Sequence, residues 1–309
     1  MVKLNIELPA SFYEEEERCG YTIPAEMKKV WAVELDLLAE LMRVCRKHDI
    51  KIMAFAGTVL GAVRHGGFIP WDDDIDMMMP RSEYDRLCAV AADEFKAPYF
   101  FQTEYTDPGS MRGHAQLRNS ETTAILTSEQ NIKSFNQGIF VDIFPLDHVA
   151  PDRELCIEQG RRAEAYKARA RKQWNLAYNP AWCALKTKRK LAHIPALMLE
   201  QVYPADRWYR KFEEECQRYN DQPSQYVGPL SFKFFRHDLW CESRYLDDVI
   251  EVPFESTTIP ICRESEKMLD RWYGEWRTFV MNASFHGGTI FDTEKSYREY
   301  LKQPVVSTS

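Results

Sequence analysis

Asp72, Asp73, Asp74 and Asp76 crowd four carboxylates into five residues of the stretch GTVLGAVRHGGFIPWDDDIDMMMP, residues 57–80. Extended backbone would turn Asp72, Asp74 and Asp76 to one face and Asp73 and Ile75 to the other. Carboxylates held that close raise one another's pKa and repel. A hard divalent cation, Mg²⁺ or Mn²⁺, removes the conflict, since both take oxygen ligands and Mg²⁺ commonly joins one or two carboxylates to substrate phosphates. The plainer reading of an Asp-Asp-Asp run is a solvated acidic turn. Ile69, Trp71, Ile75, Met77, Met78 and Met79 oppose it, because they imply burial, and buried carboxylates need a partner. An EF-hand would match Asp72, Asp74, Asp76 and Glu83, but Met77 stands where that loop needs glycine, and residues 68–71 cannot supply its first helix.

A second acidic position lies in GIFVDIFPLD, residues 138–147. Alternation there puts Phe140, Asp142 and Phe144 on one face, leaving Asp142 a lone carboxylate in an apolar strand. Such a group serves a metal or acts as a base, unless a backbone cap satisfies it. Two aspartates from one strand and a third from its neighbour form the plan of two-metal phosphoryl transfer. The metal set is therefore Asp72, Asp74, Asp76 and Asp142, with Asp74, Asp76 and Asp142 as the catalytic group. A Gly57-Thr58 turn ahead of a short helix would offer backbone N–H groups to a phosphate, and Arg64 and His65 just beyond would meet a second one.

These residues need a frame. Val30, Val33, Leu37, Leu41 and Val44 recur three and four apart, predicting one helix from Pro24 to about His48. KIMAFAG reads as a short buried strand, TVLGAVRH as a turn and helix, and GGFIPW as a break. DDDIDMMM reads as a strand stopped by Pro80, followed by a helix over residues 81–95. Further strands are expected at YFFQTEY, AQLRNSETTAI and GIFVDIFPLD. The fold class is α/β (α+β): a mixed sheet with flanking helices over residues 1–150, then a mainly helical half over 151–309.

With 40 Lys and Arg against 47 Asp and Glu, the net charge of −7 argues against a nucleic-acid binder, whose affinity needs a basic face. The eight cysteines lack metal or redox-dithiol spacing and read as reduced thiols. The N-terminus has no basic-then-apolar leader, and no run of 18 apolar residues occurs, so a cytoplasmic protein is expected.

GTVLGAVRHGGFIPWDDDIDMMMPRSEYDRL and GIFVDIFPLD resemble the LicD family, which includes fukutin-related protein; VPFESTTIPI followed by MLDRWYG does so more loosely. The resemblance implies a nucleotidyltransferase fold, with a Gly-Thr turn at Gly57-Thr58, an Asp-x-Asp strand at Asp74 and Asp76, and the later carboxylate at Asp142. Asp72 matches an additional first aspartate. It further implies transfer of the phospho-group of a CDP-activated alcohol to a glycan hydroxyl, releasing CMP. Phosphocholine from CDP-choline is the usual cargo of bacterial members, so the protein is expected to modify a cell-surface glycan or its lipid-linked precursor. CDP-ribitol or CDP-glycerol are the alternative donors, and a non-catalytic nucleotide-binding protein is the alternative class. Residues 273–297 depart from the family pattern.

A quaternary ammonium needs a box of aromatic faces. Trp174, Tyr178 and Trp182, or Trp272, Tyr273 and Trp276, have the spacing for one, although aromatics three and four apart more often fill a core. Ten basic residues and one acid, Glu164, lie between Arg161 and Lys190. That segment, 161–190, reads as a solvated face or as a peripheral contact with the inner face of a membrane or a lipid-linked glycan. His286, in SFHGG, has no partner at a recognisable spacing.

Overall fold

The computed structural model of the chain describes residues 1–130, 132, 134–179, 186–281 and 288–302. Its mixed α/β architecture follows the expected class. His286 and Trp182 lie outside the described residues.

The chain opens with a hairpin, β1 (Glu16–Arg18) and β2 (Tyr21–Ile23), and then α1 (Ala25–Lys47). The predicted α1 stripe is real: Val30, Val33, Leu37, Leu41 and Val44 are all buried. β3 (Met53–Ala54), α2 (Ala56–His65), β4 (Asp76–Pro80) and α3 (Arg81–Glu94) follow, then β5 (Tyr99–Gln102), β6 (Ala115–Asn119), β7 (Thr123–Ile125) and β8 (Ile139–His148). Next come α4 (Arg153–Tyr178), α5 (Thr187–Val202), α6 (Asp206–Cys216), β9 (Tyr226–Gly228) and β10 (Cys241–Glu242). The chain then forms β11 (Val249–Phe254), β12 (Thr257–Cys262), α7 (Ser265–Tyr273), β13 (Ile290–Asp292) and α8 (Tyr297–Lys302).

Contacts divide the chain into two units, and the division falls elsewhere than residue 150. Residues 1–102, 115–144 and 244–309 make one unit, residues 103–114 and 145–243 the other. In the first unit β3, β4 and β8 lie side by side, with β6 on the far edge of β8 and β5 on β6. Registers are Met53 opposite Met78 and Gln116 opposite Asp142.

The last segment joins this unit for physical reasons visible residue by residue. β11 and β12 pair as a hairpin, β12 packs on β3, and α7 packs on α2. The Trp272 ring stands edge-on to Phe55, which also meets Phe144. β13 pairs with β7. A reading based on Pro and charge punctuation had no means of seeing that these pieces return.

The second unit is helical through α4, α5 and α6, but β9 and β10 pair there, and the end of β8 joins β9 through Asp147 and His148. Its core is built from small and aromatic residues, Ala163 and Ala170 of α4 against Tyr209 and Phe212 of α6. Residues 151–309 are thus less uniformly helical than their composition implies.

Candidate active site

Residues 72–75 are not strand. β4 begins only at Asp76, and the irregular turn before it gathers the side chains differently from an extended chain. One carboxylate oxygen each from Asp72, Asp73 and Asp74 lies within 4.8 Å of the others. Asp73, expected to point away, therefore belongs to the cluster and is buried. Ile69, Trp71, Ile75 and Met77 to Met79 are buried as their types implied. Asp72, Asp74 and Asp76 are half-buried, so the turn is not a fully solvated acidic loop.

Several contacts fix this turn. Trp31 of α1 stacks on Phe68 with centroids 4.5 Å apart, and its indole N–H donates to the Asp72 carbonyl at 3.0 Å. Glu255, in the β11–β12 turn, accepts from the Phe68 N–H at 3.0 Å and donates its own N–H to the Gly66 carbonyl at 2.7 Å. Arg18 holds that carboxylate at 2.7 Å.

Asp142 N–H donates to the Ile75 carbonyl at 3.0 Å, which seats β8 beside the start of β4. Asp76 accordingly feels Asp142 most strongly among its neighbours. Burial first, then Asp142, Asp72 and Asp73, push the Asp76 carboxyl well above the usual carboxylate range. Asp142 itself is gripped from β6: Gln116 Nε2 donates to its Oδ1 at 2.5 Å. Arg118, fully buried, donates to Gln116 Oε1, to Gln102 Oε1 at 2.6 Å and to the Gly138 carbonyl at 2.6 Å. Because Arg118 has only donors, it forces Gln116 to present its amide N–H₂ to Asp142.

One participant was not anticipated. Glu34, on α1, is 1% exposed, and its Oε2 has no hydrogen-bond partner among the described residues. Burial, followed by Asp74, Asp73, Asp72 and Asp76, pushes its carboxyl well above the ordinary value. The signal in the sequence was a glutamate among Trp31, Val33, Leu35 and Leu37, on a helix whose neighbouring positions are all core. Six carboxyls thus converge, and the orphaned Glu34 oxygen makes the set a fit for a divalent cation, which is satisfied by oxygen donors alone.

Gly57 and Thr58 are in the first turn of α2 and not ahead of it. The Thr58 N–H is already bonded to the Phe55 carbonyl at 3.0 Å, and its hydroxyl accepts from the Asp76 N–H at 2.8 Å. Gly57 matters for space, since a Cβ there would stand 2.9 Å from Asp72 Oδ2. The backbone enters this turn through Ala56 at φ 46°, a left-handed conformation that costs an alanine about 1 kcal/mol.

Arg64 and His65 occupy the other end of α2, about 9 Å along the helix axis from Thr58. Arg64 donates to the Trp276 carbonyl at 2.6 Å and lies over Phe279. Burial, then Arg64 and Arg18, push the His65 imidazole down to about 4, so it is neutral at pH 7 and brings no charge to a phosphate. Among the aromatic candidates, Trp272 and Trp276 are buried while Tyr273 is exposed. Arg277 already covers the Trp276 ring at 4.0 Å. Trp174 and Tyr178 pack against each other in the second unit, centroids 4.3 Å apart.

Residues 49–164 match the family described as LicD/FKTN/FKRP, nucleotidyltransferase domain. Over 252 residues the chain is 25% identical to the lipopolysaccharide cholinephosphotransferase LicD of Haemophilus influenzae, covering 78% of this chain and 88% of that protein. It is also 29% identical over 119 residues to an uncharacterized protein of Rickettsia prowazekii, covering 38% of this chain and 42% of that one. The matched span contains α2, the aspartate turn, β4 and Asp142, while Glu34 lies before it.

Proposed function

We propose, from the match of residues 49–164 to the LicD/FKTN/FKRP nucleotidyltransferase domain, that the protein is a phosphotransferase that moves phosphocholine from CDP-choline to a hydroxyl of a cell-surface glycan or its lipid-linked precursor, releasing CMP. The observation that carries the reading is the convergence of half-buried Asp72 and Asp74 with buried Asp73, beside Asp76 and Asp142, a set that a simple binding module does not need. The similarity to a lipopolysaccharide cholinephosphotransferase over most of both chains supports the cargo and the acceptor class.

In this reading Asp72, Asp74, Asp76 and Asp142 would hold Mg²⁺ or Mn²⁺. When bound, the cation neutralises phosphoryl oxygens and stabilises the leaving group's charge. The acceptor oxygen forms a bond to the phosphorus that bears choline, that phosphorus loses its bond to the bridging oxygen, and CMP departs with the bond's electrons. Asp142, oriented by Gln116, takes the hydroxyl proton. The Gly57 end of α2 lets the Asp72 carboxylate and a donor phosphate approach the backbone closely. We assign the reaction to the cytoplasm. All seven described cysteines are free thiols, as suits a reducing compartment.

The test follows CMP release from CDP-choline, CDP-ribitol and CDP-glycerol, each with Mg²⁺, with and without a lipopolysaccharide acceptor. Acceptor-dependent release from CDP-choline is expected, and Asp74→Ala should abolish it while leaving the unfolding midpoint close to the parent's. Three intact donors in the presence of acceptor would sink the reading.

A further inference from the structure

Helix α5 presents an apolar stripe to solvent. Leu191, Ile194, Met198 and Val202 are 76%, 68%, 69% and 69% exposed, and Leu199 and Tyr203 beside them are exposed too. At about 100° per residue, the first four fall within an arc of roughly 80°. The opposite face is the one that anchors the helix. Ala196 and Glu200 are buried, Glu200 accepts from Gln173 of α4 at 2.6 Å, and His193 meets the Leu176 carbonyl at 2.7 Å. The stripe is therefore not a misplaced core face, since α5 already has a core face and uses it.

Charge says what the stripe is for. Residues 165–199 contain eight Lys and Arg and no Asp or Glu, in a chain of net charge −7. On α5 itself, Lys188 and Lys190 project to either side of the apolar arc at its N-terminal end, and Lys186 precedes them. Arg169, Arg171 and Lys172 are exposed on α4, which packs against α5. A narrow apolar stripe flanked by lysines is how a helix lies in the interface of an anionic bilayer, side chains in the acyl boundary and ammonium groups among the headgroups. A second copy of the chain is a poor occupant, because pairing two such faces would bring two dense sets of cations together.

We propose that α5 docks this protein on an anionic lipid surface, with Leu191, Ile194, Met198 and Val202 inserted and the surrounding lysines and arginines paired with headgroups. No described helix is long and apolar enough to cross a membrane, so attachment through α5 is peripheral. The inference is independent of the donor or acceptor used.

The test is co-sedimentation of the full chain with phosphatidylcholine vesicles, with and without phosphatidylglycerol, at low and high salt. Binding is expected only to the anionic vesicles and should weaken with salt. The double variant I194E/M198E should lower the partition coefficient by at least on the order of tenfold, and K188E/K190E by a similar factor. Both pairs are on the surface, and circular dichroism and the thermal midpoint should match the parent's. Three outcomes would overturn the proposal: no binding to anionic vesicles at low salt, binding that I194E/M198E leaves unchanged, or a concentration-dependent dimer in solution that I194E/M198E dissolves.

Discussion

At the scale of single residues, Glu34 decides how the acidic site is balanced. Its carboxyl is buried, one oxygen lacks a hydrogen bond among the described residues, and four aspartates oppose its ionisation. A raised carboxyl pKa means the folded state favours the protonated form, so this group costs stability as pH rises above the ordinary carboxylate range. Glu34→Gln keeps the shape and removes the charge. In divalent-free buffer it should raise the thermal midpoint, by more at pH 8.5 than at pH 6, while weakening Mn²⁺ binding measured by electron paramagnetic resonance. A lower midpoint at both pH values would show that the carboxylate is needed for something other than a cation. His65 has the opposite sign. Its imidazole is held at about 4, below the usual histidine range, so between roughly pH 6.5 and pH 4 the unfolded chain binds a proton that the folded chain refuses. Stability is lost across that window as pH falls. His65→Gln should show a shallower decline in urea midpoint between pH 7 and pH 4 than the parent. What was legible at this scale is the run of aspartates beside buried methionines and Trp71, and the placing of Asp142 on a neighbouring strand. Asp73 was not, because strict alternation holds only in a strand, and residues 72–75 are a turn shaped by Trp31 and Ile69. Glu34 was hidden by lying on another element, nearly forty residues upstream in sequence.

At the scale of elements, the sheet supplies the positioning. β8 places Asp142 beside Ile75, and β6 places Gln116 opposite Asp142. Arg118, two residues on from Gln116 and on the same face of β6, locks that amide while its own charge stacks over Phe140 at 4.7 Å. Arg118→Met would leave Gln116 Oε1, Gln102 Oε1 and the Gly138 carbonyl without this donor inside the core. The expected loss is about 3 kcal/mol or more by urea unfolding, since each buried acceptor deprived of its partner costs about 1–3 kcal/mol. A loss below about 1 kcal/mol would mean that these oxygens find other donors, and that Gln116 is not fixed by Arg118. The helices and strands around the site were legible from periodicity, α1 and α3 nearly to the residue. The α2 boundary was not: glycine and threonine read as a turn, whereas the chain starts the helix at Ala56 by accepting a left-handed residue there.

At the scale of the whole molecule, sequence order and spatial order part company. Charge and proline punctuation put a boundary near residue 150, yet residues 244–309 close the unit that carries the aspartates. Glu255 ties Gly66 and Phe68, just ahead of Asp72, to Arg18 in the first hairpin, and Lys28 of α1 meets Glu16 there at 2.7 Å. Phe254 is fully buried with its ring 5.0 Å from Phe68, and Trp272 closes over Phe55. A fragment of residues 1–150 would expose Phe55 and Phe68 and leave Arg18 without Glu255. Burying each aromatic side chain is worth roughly 1.5–3 kcal/mol, set against a total domain stability of about 5–15 kcal/mol, so losing several such contacts at once exceeds what the fragment can spare. The fragment is therefore expected to lack a cooperative urea transition by tryptophan fluorescence and to show no saturable Mn²⁺ binding, while the full chain shows both. A fragment that unfolds cooperatively and binds Mn²⁺ like the parent would mean that the C-terminal hairpin and α7 merely cover a core able to hold the aspartates on its own. The narrower change Glu255→Ala separates the two ideas further. If the tie sets the aspartate turn, that variant keeps a cooperative transition but binds Mn²⁺ more weakly.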